Sequence, residues 1–149
     1  MSYIEFLGQY GDRIVSGTLV TMALTVLSAL LAVTIAVAAG LMRMAPNMAV
    51  RGLATVYIEI FRGTSLLVQL FWLYFALPVA GQAIGIDLRL PPVAAGVLAL
   101  SLNIGAYGAE VVRGAIQSVS KEQYEAARAL NFTPRQALWR VALPQAIPE

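Results

Sequence analysis

The sequence predicts an all-α protein, a polytopic transmembrane helix bundle with a helical segment on the cytoplasmic side of the membrane. Of the 149 residues, 59% are hydrophobic and only 12% are charged, whereas a soluble domain carries about 25% charged residues. Three long apolar stretches are separated by short polar connectors. A charged stretch over residues 120–144, here called the hook segment, follows the third apolar stretch. We therefore interpret residues 1–149 as one transmembrane domain.

The composition also excludes several kinds of site. The chain contains no cysteine and no histidine, so it offers no disulfide, no thiolate zinc site and no Ser-His or Cys-His catalytic pair. A phosphate-binding G-x-x-x-x-G-K sequence followed by Ser or Thr is absent. A net charge of +2 is too small to indicate nucleic-acid binding. We expect no catalytic residue, no metal site and no cofactor bound by this chain.

The first apolar stretch is long enough to cross a bilayer. Residues 14–42 carry no charge, and residues 17–41 supply the ~20 apolar residues that a transmembrane helix needs. A secretory signal peptide has a shorter apolar core and a basic start, which Glu5 and Asp12 with a single Arg13 do not provide. The first twelve residues fit either a short helix at the membrane surface or a frayed terminus.

The second and third spans are predicted at residues 54–77, ending before Pro78, and at residues 92–112. Four aromatic residues near the end of the second span resemble a membrane-interface belt: Phe71, Trp72, Tyr74 and Phe75. Small residues dominate the third span, and such residues let helices approach closely in lipid. Basic residues in the connector of residues 43–51 and after residue 112 place both stretches on the cytoplasmic side, with the amino terminus outside.

Charged residues recur at the predicted cytoplasmic ends of these two spans. Glu59 and Arg62 lie three residues apart, as do Glu110 and Arg113, and each pair is followed by glycine. One hypothesis is that the four side chains form a cluster that holds an inner gate. The alternative is that each side chain reaches separately into the headgroup region.

Four polar residues lie inside the predicted spans: Ser65, Gln69, Ser101 and Asn103. Polar side chains in a membrane usually face the interior of the bundle, where they line a pathway or hydrogen-bond neighbouring helices. The sequence does not separate a solute pathway from contacts between helices, so both interpretations stay open.

The hook segment has the local pattern of two short helices. Two residue pairs match capping boxes: Ser120 with Gln123, and Thr133 with Gln136. Asn131 lies between the two helices and is predicted to adopt a positive φ at the end of the first. Pro144 is predicted to end the second helix.

Three blocks of the chain resemble the permease subunits of ABC importers, in particular the polar-amino-acid (histidine/glutamine-type) family. The hook segment contains Glu125-Ala126-Ala127, then Asn131 and Val141-Ala142-Leu143-Pro144, at the spacing of the EAA signature. The other blocks are YIEIFRGTSLLVQLFWLYFALP and AYGAEVVRGAIQSV, so the resemblance covers most of the chain from Tyr57 onward. The family signature has Gly where Asn131 stands and usually Ile where Val141 stands.

The resemblance implies ATP-driven import of a small polar solute, either an amino acid or an ectoine-like compatible solute. It implies that the hook segment couples the permease to an ATPase through six residues: Glu125, Ala126, Ala127, Asn131, Leu143 and Pro144. ATP and Mg²⁺ would bind to that partner, an ATP-binding cassette dimer. A second permease subunit, identical or different, and an extracytoplasmic solute-binding protein complete the implied assembly in the bacterial inner membrane.

Further spans are expected after Glu149, so residues 1–149 alone are not expected to transport. Two other classes of function stay open at this point. A membrane anchor or assembly factor would hold a soluble partner through the hook segment without transport, and polar residues lining a cavity would argue against it. A membrane-embedded enzyme is disfavoured, because Ser65 has no evident base in a chain without histidine or cysteine.

Overall fold

The computed structural model describes residues 3–142 and residue 144. The bundle contains α1 (Tyr3–Arg43), α2 (Met48–Gly63), the continuous helix Leu66–Ala83 and α5 (Pro92–Gln117). The helix Leu66–Ala83 consists of α3 (Leu66–Phe71), a π-helical segment (Trp72–Ala76) and α4 (Leu77–Ala83). The hook segment contains α6 (Lys121–Ala129), α7 (Pro134–Ala137) and a second π-helical segment (Leu138–Ala142).

The described residues form no strand, which confirms the predicted all-α class. Within the part of the chain that the structure describes, three helices are long and apolar enough to cross a membrane: Tyr10–Arg43, Leu66–Ala83 and Pro92–Gln117. The predicted first and third spans lie within the first and last of these helices. Each helix extends beyond the predicted span.

α1 is one helix of 41 residues, about 60 Å long at 1.5 Å per residue. Residues 3–12, for which the sequence left a surface helix or a frayed terminus open, belong to this continuous helix. Four threonine hydroxyls each donate to the carbonyl four residues earlier: Thr18, Thr21, Thr25 and Thr34. These bonds keep the hydroxyls paired inside an otherwise apolar helix.

α1 and α5 run parallel and share the largest helix–helix contact among the described residues. The facing pairs, in order along both helices, are Leu24 with Gly96, Ile35 with Gly105, Ala36 with Gly108, and Gly40 with Ala109. The residue numbers of each pair rise together, which defines the parallel direction. The two backbones approach closely because glycine and alanine occupy the contact, as the small residues of the third span predict.

The helix Leu66–Ala83 runs beside α5 in the opposite direction. Near its start, Gln69 accepts a hydrogen bond from Asn103 in the middle of α5 (3.1 Å). Further along, Phe75 lines a groove together with Pro92 at the start of α5. The three long helices therefore alternate in direction, as a chain that crosses a membrane three times must do.

The predicted second span, residues 54–77, is divided between two helices. α2 ends at Gly63, and both Thr64 (φ −121°, ψ 150°) and Ser65 (φ −75°, ψ 147°) have extended backbone. The Ser65 hydroxyl accepts a hydrogen bond from the amide of Val68 (3.4 Å) and so caps a new helix. An average over hydropathy does not detect such a break, because the two interrupting residues are small and only weakly polar.

Pro78 does not end the second crossing, contrary to the prediction. It lies in the first turn of α4, and the helix continues to Ala83. Just before it, the amide of Leu77 donates to the Trp72 carbonyl, five residues earlier. Proline lacks an amide hydrogen and its ring collides with the carbonyl four residues earlier in a regular helix. The wider π-helical turn accommodates the proline without a break.

Gly108→Ala is expected to destabilise the contact between α1 and α5. A Cβ at Gly108 would lie 2.7 Å from the Cβ of Ala36, and overpacking of this kind costs about 1–3 kcal/mol. Gly114→Ala is the matched control in the same helix, because a Cβ there meets nothing within 4 Å. Unfolding in detergent micelles, followed by circular dichroism, compares the two variants.

The control should be neutral or stabilising, since alanine favours a helix over glycine by about 1 kcal/mol. Equal stabilities of the two variants would contradict the close approach of α1 and α5.

Candidate functional site

Side-chain hydrogen bonds hold the break between α2 and α3. The last carbonyl groups of a helix have no partner within that helix. Here the Thr64 hydroxyl donates to the Ile60 carbonyl (2.8 Å). The next carbonyl, that of Phe61, accepts from Gln69 Nε2 (2.9 Å) and from Asn103 Nδ2 (3.3 Å). The end of α2 is thus tied to both of the helices that follow it.

Gln69 is the centre of this network. Its side-chain nitrogen also donates to the carbonyl (3.2 Å) and the hydroxyl (2.8 Å) of Thr64. Its side-chain oxygen accepts from Asn103 (3.1 Å). The residue is buried, with 8% of its surface exposed. Removing this amide would leave the carbonyl of Phe61 with one donor fewer and that of Thr64 with none from this network.

The four predicted pathway residues therefore have different positions. Gln69 and Asn103 meet at the break, and Ser65 caps α3 beside them. Ser101 is fully buried and donates to the Val97 carbonyl of its own helix (2.6 Å). These hydrogen bonds are the ones expected of residues that stabilise helices, and Gln69 in addition lies in the wall of a groove.

This groove lies beside the break and has a volume of about 360 Å³. Its walls come from α2 and from the helix that starts at Leu66, and they include Ile60, Phe61, Thr64, Val68, Gln69 and Trp72. Most of these side chains are apolar, and Thr64 and Gln69 are the polar ones among them. Almost none of the accessible surface of the groove is polar, so the Gln69 amide lies behind an apolar wall.

The predicted cluster of four charged side chains does not form. Glu110 pairs with Arg113 of its own helix (2.9 Å) and with Arg43 of α1. Glu59 and Arg62 are exposed. No ion pair within the described part of the chain links either of them to Glu110 or Arg113. The observed cluster, here called the charge triad, consists of Arg43, Glu110 and Arg113.

The orientation of α2 explains the difference. Ile58 is buried and packs in one cluster with Ala109 of α5. Glu59, one residue on, is turned by about 100° around the helix and faces outward. Arg62 contacts α5 through a cation–π interaction, with its guanidinium carbon 5.4 Å from the centre of the Tyr107 ring. α2 therefore brings no carboxylate or guanidinium to the charge triad.

Sequence reasoning assigned Arg43 to topology and missed its role in the charge triad. Arg43 is the first charged residue after the first apolar stretch, and Glu110 lies near the end of the third. In two parallel helices these positions fall at the same end. The sequence shows that each residue lies near the end of its apolar stretch. A contact between Arg43 and Glu110 can be inferred from this only when α1 and α5 are known to pack in parallel.

The joint of the hook segment is a Schellman motif. Asn131 has a φ of 57°, which confirms the predicted positive φ. Its amide donates to the Arg128 carbonyl (2.9 Å), and the amide of Phe132 donates to the Ala127 carbonyl (3.0 Å). Asparagine tolerates this conformation because its short polar side chain can bond locally. The departure from glycine therefore preserves the turn.

The two predicted capping boxes have different outcomes. At α7 the box is complete, because the Gln136 amide donates to Thr133 Oγ1 (3.3 Å) and the Thr133 amide donates to Gln136 Oε1 (2.9 Å). At α6 the Ser120 half of the predicted box is absent, since Ser120 makes no side-chain cap bond. Instead, the amide of Glu122 and then the Ser120 hydroxyl donate to the Glu122 carboxylate and lower the pKa of Glu122.

The hook segment presents an exposed surface beyond α5. The predicted coupling residues that are exposed are Glu125, Ala126, Asn131 and Pro144. Ala127 is buried next to the joint, while Leu130 and Trp139 are 70% and 55% exposed. Leu143 and residues 145–149 lie outside the described residues. The end of the second hook helix at Pro144 therefore stays a prediction. The exposed side of the joint thus combines a carboxylate with large apolar groups.

Residues 31–149 match the sequence family described as binding-protein-dependent transport system inner membrane components. The chain is 61% identical over 149 residues to a probable amino-acid ABC transporter permease protein of Sinorhizobium fredii, covering 100% of this chain and 61% of that protein. It is 38% identical over 130 residues to the L-cystine transport system permease protein of Bacillus subtilis, covering 87% of this chain and 53% of that protein.

The fold is similar to that in the crystal structure of an amino acid ABC transporter with histidines. The TM-score is 0.82 at 36% sequence identity, and the match covers 98% of this chain and 65% of that chain. The chain therefore spans between about one half and two thirds of the length of these three proteins.

Glu110→Gln is expected to destabilise the protein by about 1–3 kcal/mol, because it leaves two partly buried guanidinium groups without their carboxylate. The Glu110 side chain is only 17% exposed. Glu59→Gln makes the same chemical change at an exposed position, and its effect should stay within about 0.5 kcal/mol. The measurement is denaturant unfolding of the purified variants in detergent, and similar losses at both positions would show that the charge triad contributes little.

Proposed function

Because the chain belongs to the family of binding-protein-dependent transport system inner membrane components, we propose that it is the membrane-spanning permease subunit of an ATP-driven importer. The proposed cargo is a small polar solute, in the simplest case an amino acid. Two proteins that the chain resembles are named for amino-acid and L-cystine transport. These names support the amino-acid class over an ectoine-like compatible solute.

The hook segment is the observation that carries this proposal. It follows α5 directly, and its two short helices are joined by a Schellman motif and a complete capping box. Both features fix the backbone between α6 and α7, so the two short helices can move as one unit when a partner pushes on them. The exposed Glu125, Ala126 and Asn131 lie on the outer surface of the segment, where a partner can contact them.

We propose that this partner is the ATPase dimer, which binds ATP and Mg²⁺ and carries out hydrolysis. Docking would use the hook residues from Glu125 to Ala127, then Asn131, Leu143 and Pro144. Closure of the dimer would draw the hook segments of two permease subunits, identical or different, toward each other. The helices would then alternate between states open to either side, and an extracytoplasmic solute-binding protein would deliver the solute.

The groove at the helix break supports transport over a role as a membrane anchor. Thr64 and Gln69 belong to its lining, whereas an anchor needs only an exposed hook segment. Gln69 and Asn103 already bond to each other and to the Phe61 carbonyl. A solute with an amide or carboxylate group would reach these side chains only after the apolar wall of the groove had moved, as alternation between the two open states would require.

Asn131→Val is expected to lower solute-stimulated ATP hydrolysis, because a β-branched residue resists a positive φ, with strain of about 1–2 kcal/mol. Asn131→Gly is the matched control, since glycine adopts this φ without penalty. Phosphate release is measured for the importer reconstituted in vesicles with its ATPase and an amino-acid-loaded binding protein.

Full stimulation of the Asn131→Val variant would contradict the coupling role of the joint. ATP hydrolysis that responds to no amino acid, in a complex that still assembles, would favour the membrane anchor.

We further propose that the amino terminus lies outside and the hook segment lies in the cytoplasm, as the basic residues indicate. The chain has no cysteine, so Ala83→Cys and Gln123→Cys each introduce a single thiol at an exposed position. A membrane-impermeant maleimide should label the first variant in intact cells and the second only after lysis. Labelling of both from one side would contradict this topology.

A further inference from the structure

A second cavity lies where the carboxyl ends of α1 and α5 meet the first turns of α2. Its volume is about 680 Å³. The residues that matter here are Arg43, Met44, Met48, Arg51, Arg113 and Gln117. This cavity is separate from the groove at the helix break, and transport as proposed above makes no use of it.

The cavity carries an excess of positive charge. Three guanidinium groups line it, from Arg43, Arg51 and Arg113, and arginine stays protonated at any physiological pH. One carboxylate, that of Glu110, pairs with Arg43 and Arg113. No ion pair in the described part of the chain involves Arg51. The three guanidinium groups and the one carboxylate therefore give this cavity a net charge of about +2.

The donors that remain available face the same space. Arg113 directs Nε and Nη2 to Glu110 and Nη1 to Gln117 (3.0, 2.9 and 2.7 Å). Arg43 uses one nitrogen, Nη1, for Glu110. The second terminal nitrogen of Arg43 and the whole guanidinium of Arg51 are thus the groups that can bind an anion. A planar guanidinium matches two oxygens of a phosphate group.

The position of the cavity selects the kind of anion. It lies at the carboxyl ends of two helices that are long and apolar enough to cross a membrane, and lipid headgroups are expected at the ends of such helices. Its rim is apolar on the side of α2, where Met48 is 77% exposed and Val56 is 54% exposed. A soluble anion has no contact to make with such a rim, whereas an acyl chain does. Basic pockets between membrane helices are known to suit anionic headgroups.

We propose that this cavity binds the phosphate headgroup of an anionic phospholipid from the adjacent leaflet, with Arg51 as the principal contact and Arg43 as the second. The acyl chains would lie along the exposed Met48 and Val56. The bound lipid would neutralise the excess charge and join α2 to the ends of α1 and α5. This inference depends on membrane insertion and not on the proposed transport function.

Arg51→Gln tests the proposal, because it removes one positive charge and leaves the charge triad intact. Native mass spectrometry of the detergent-purified complex measures the affinity of its tightest-bound lipid, with phosphatidylglycerol and phosphatidylcholine as separate probes. The variant should bind phosphatidylglycerol about fivefold more weakly, the effect of one basic residue at an anionic membrane surface. Phosphatidylcholine binding should not change.

Arg89→Gln is the matched control, since it removes the same charge from an exposed arginine next to Asp87, in the loop at the other end of α5. It should bind phosphatidylglycerol like the parent protein. Arg51→Lys keeps the charge without the planar fork and should give an intermediate affinity. Helix content by circular dichroism confirms that each variant is folded.

Two results would overturn the proposal. Equal phosphatidylglycerol affinities of the Arg51→Gln and Arg89→Gln variants would show that the cavity is not the lipid site. Inorganic phosphate that binds with the same dependence on Arg51, and displaces the lipid at equal concentration, would assign the cavity to a soluble anion. Retention of phosphatidylglycerol in excess inorganic phosphate supports the lipid.

Discussion

A backbone carbonyl in the bilayer interior needs a hydrogen-bond donor from the protein itself, because no water is there to supply one. The break after Gly63 interrupts the helix, so the carbonyl groups that precede it lack their usual amide partners. There, the side chains of Thr64, Gln69 and Asn103 replace the missing amides. Thr64 lies in the break, Gln69 in the helix after it and Asn103 in α5. The bonds that supply donors to the free carbonyl groups therefore also fix these two helices relative to α2.

The contact of α1 with α5 is held in two different ways along its length. Through the bilayer, glycine and alanine permit close packing, which has no direction and little selectivity along the helix axis. At the carboxyl ends, the charge triad joins Arg43 to Glu110 and Arg113. An ion pair is directional, so the triad selects the register that the small residues only allow. The small residues therefore set the distance between α1 and α5, and the charge triad sets their alignment along the helix axis.

The sequence predicts those parts of the fold that depend on neighbouring residues. The lengths of the apolar stretches locate α1 and α5, and the positive φ of Asn131 follows from local backbone preferences. The break at Thr64 is missed because its stability comes from Gln69 and Asn103, the latter 42 residues from Phe61. The charge triad is missed for the same reason, since Arg43 and Glu110 are 67 residues apart. The polar residues at the break were found, but whether they bond to helices or line open space depends on the packing.

The π-helical segment Trp72–Ala76 has a consequence for how this region varies between related sequences. A π turn holds one residue more than an α turn, so the additional residue fits between Phe71 and Leu77 without rotating the side chains that follow. Phe71 and Phe75 contact each other across it, with ring centres 4.7 Å apart. A chain that has lost one residue here would regain a regular helical repeat, and the residues of α4 would stay on the same face of the helix. Single-residue gaps in an alignment are thus expected to fall in this turn, and to coincide with loss of Pro78.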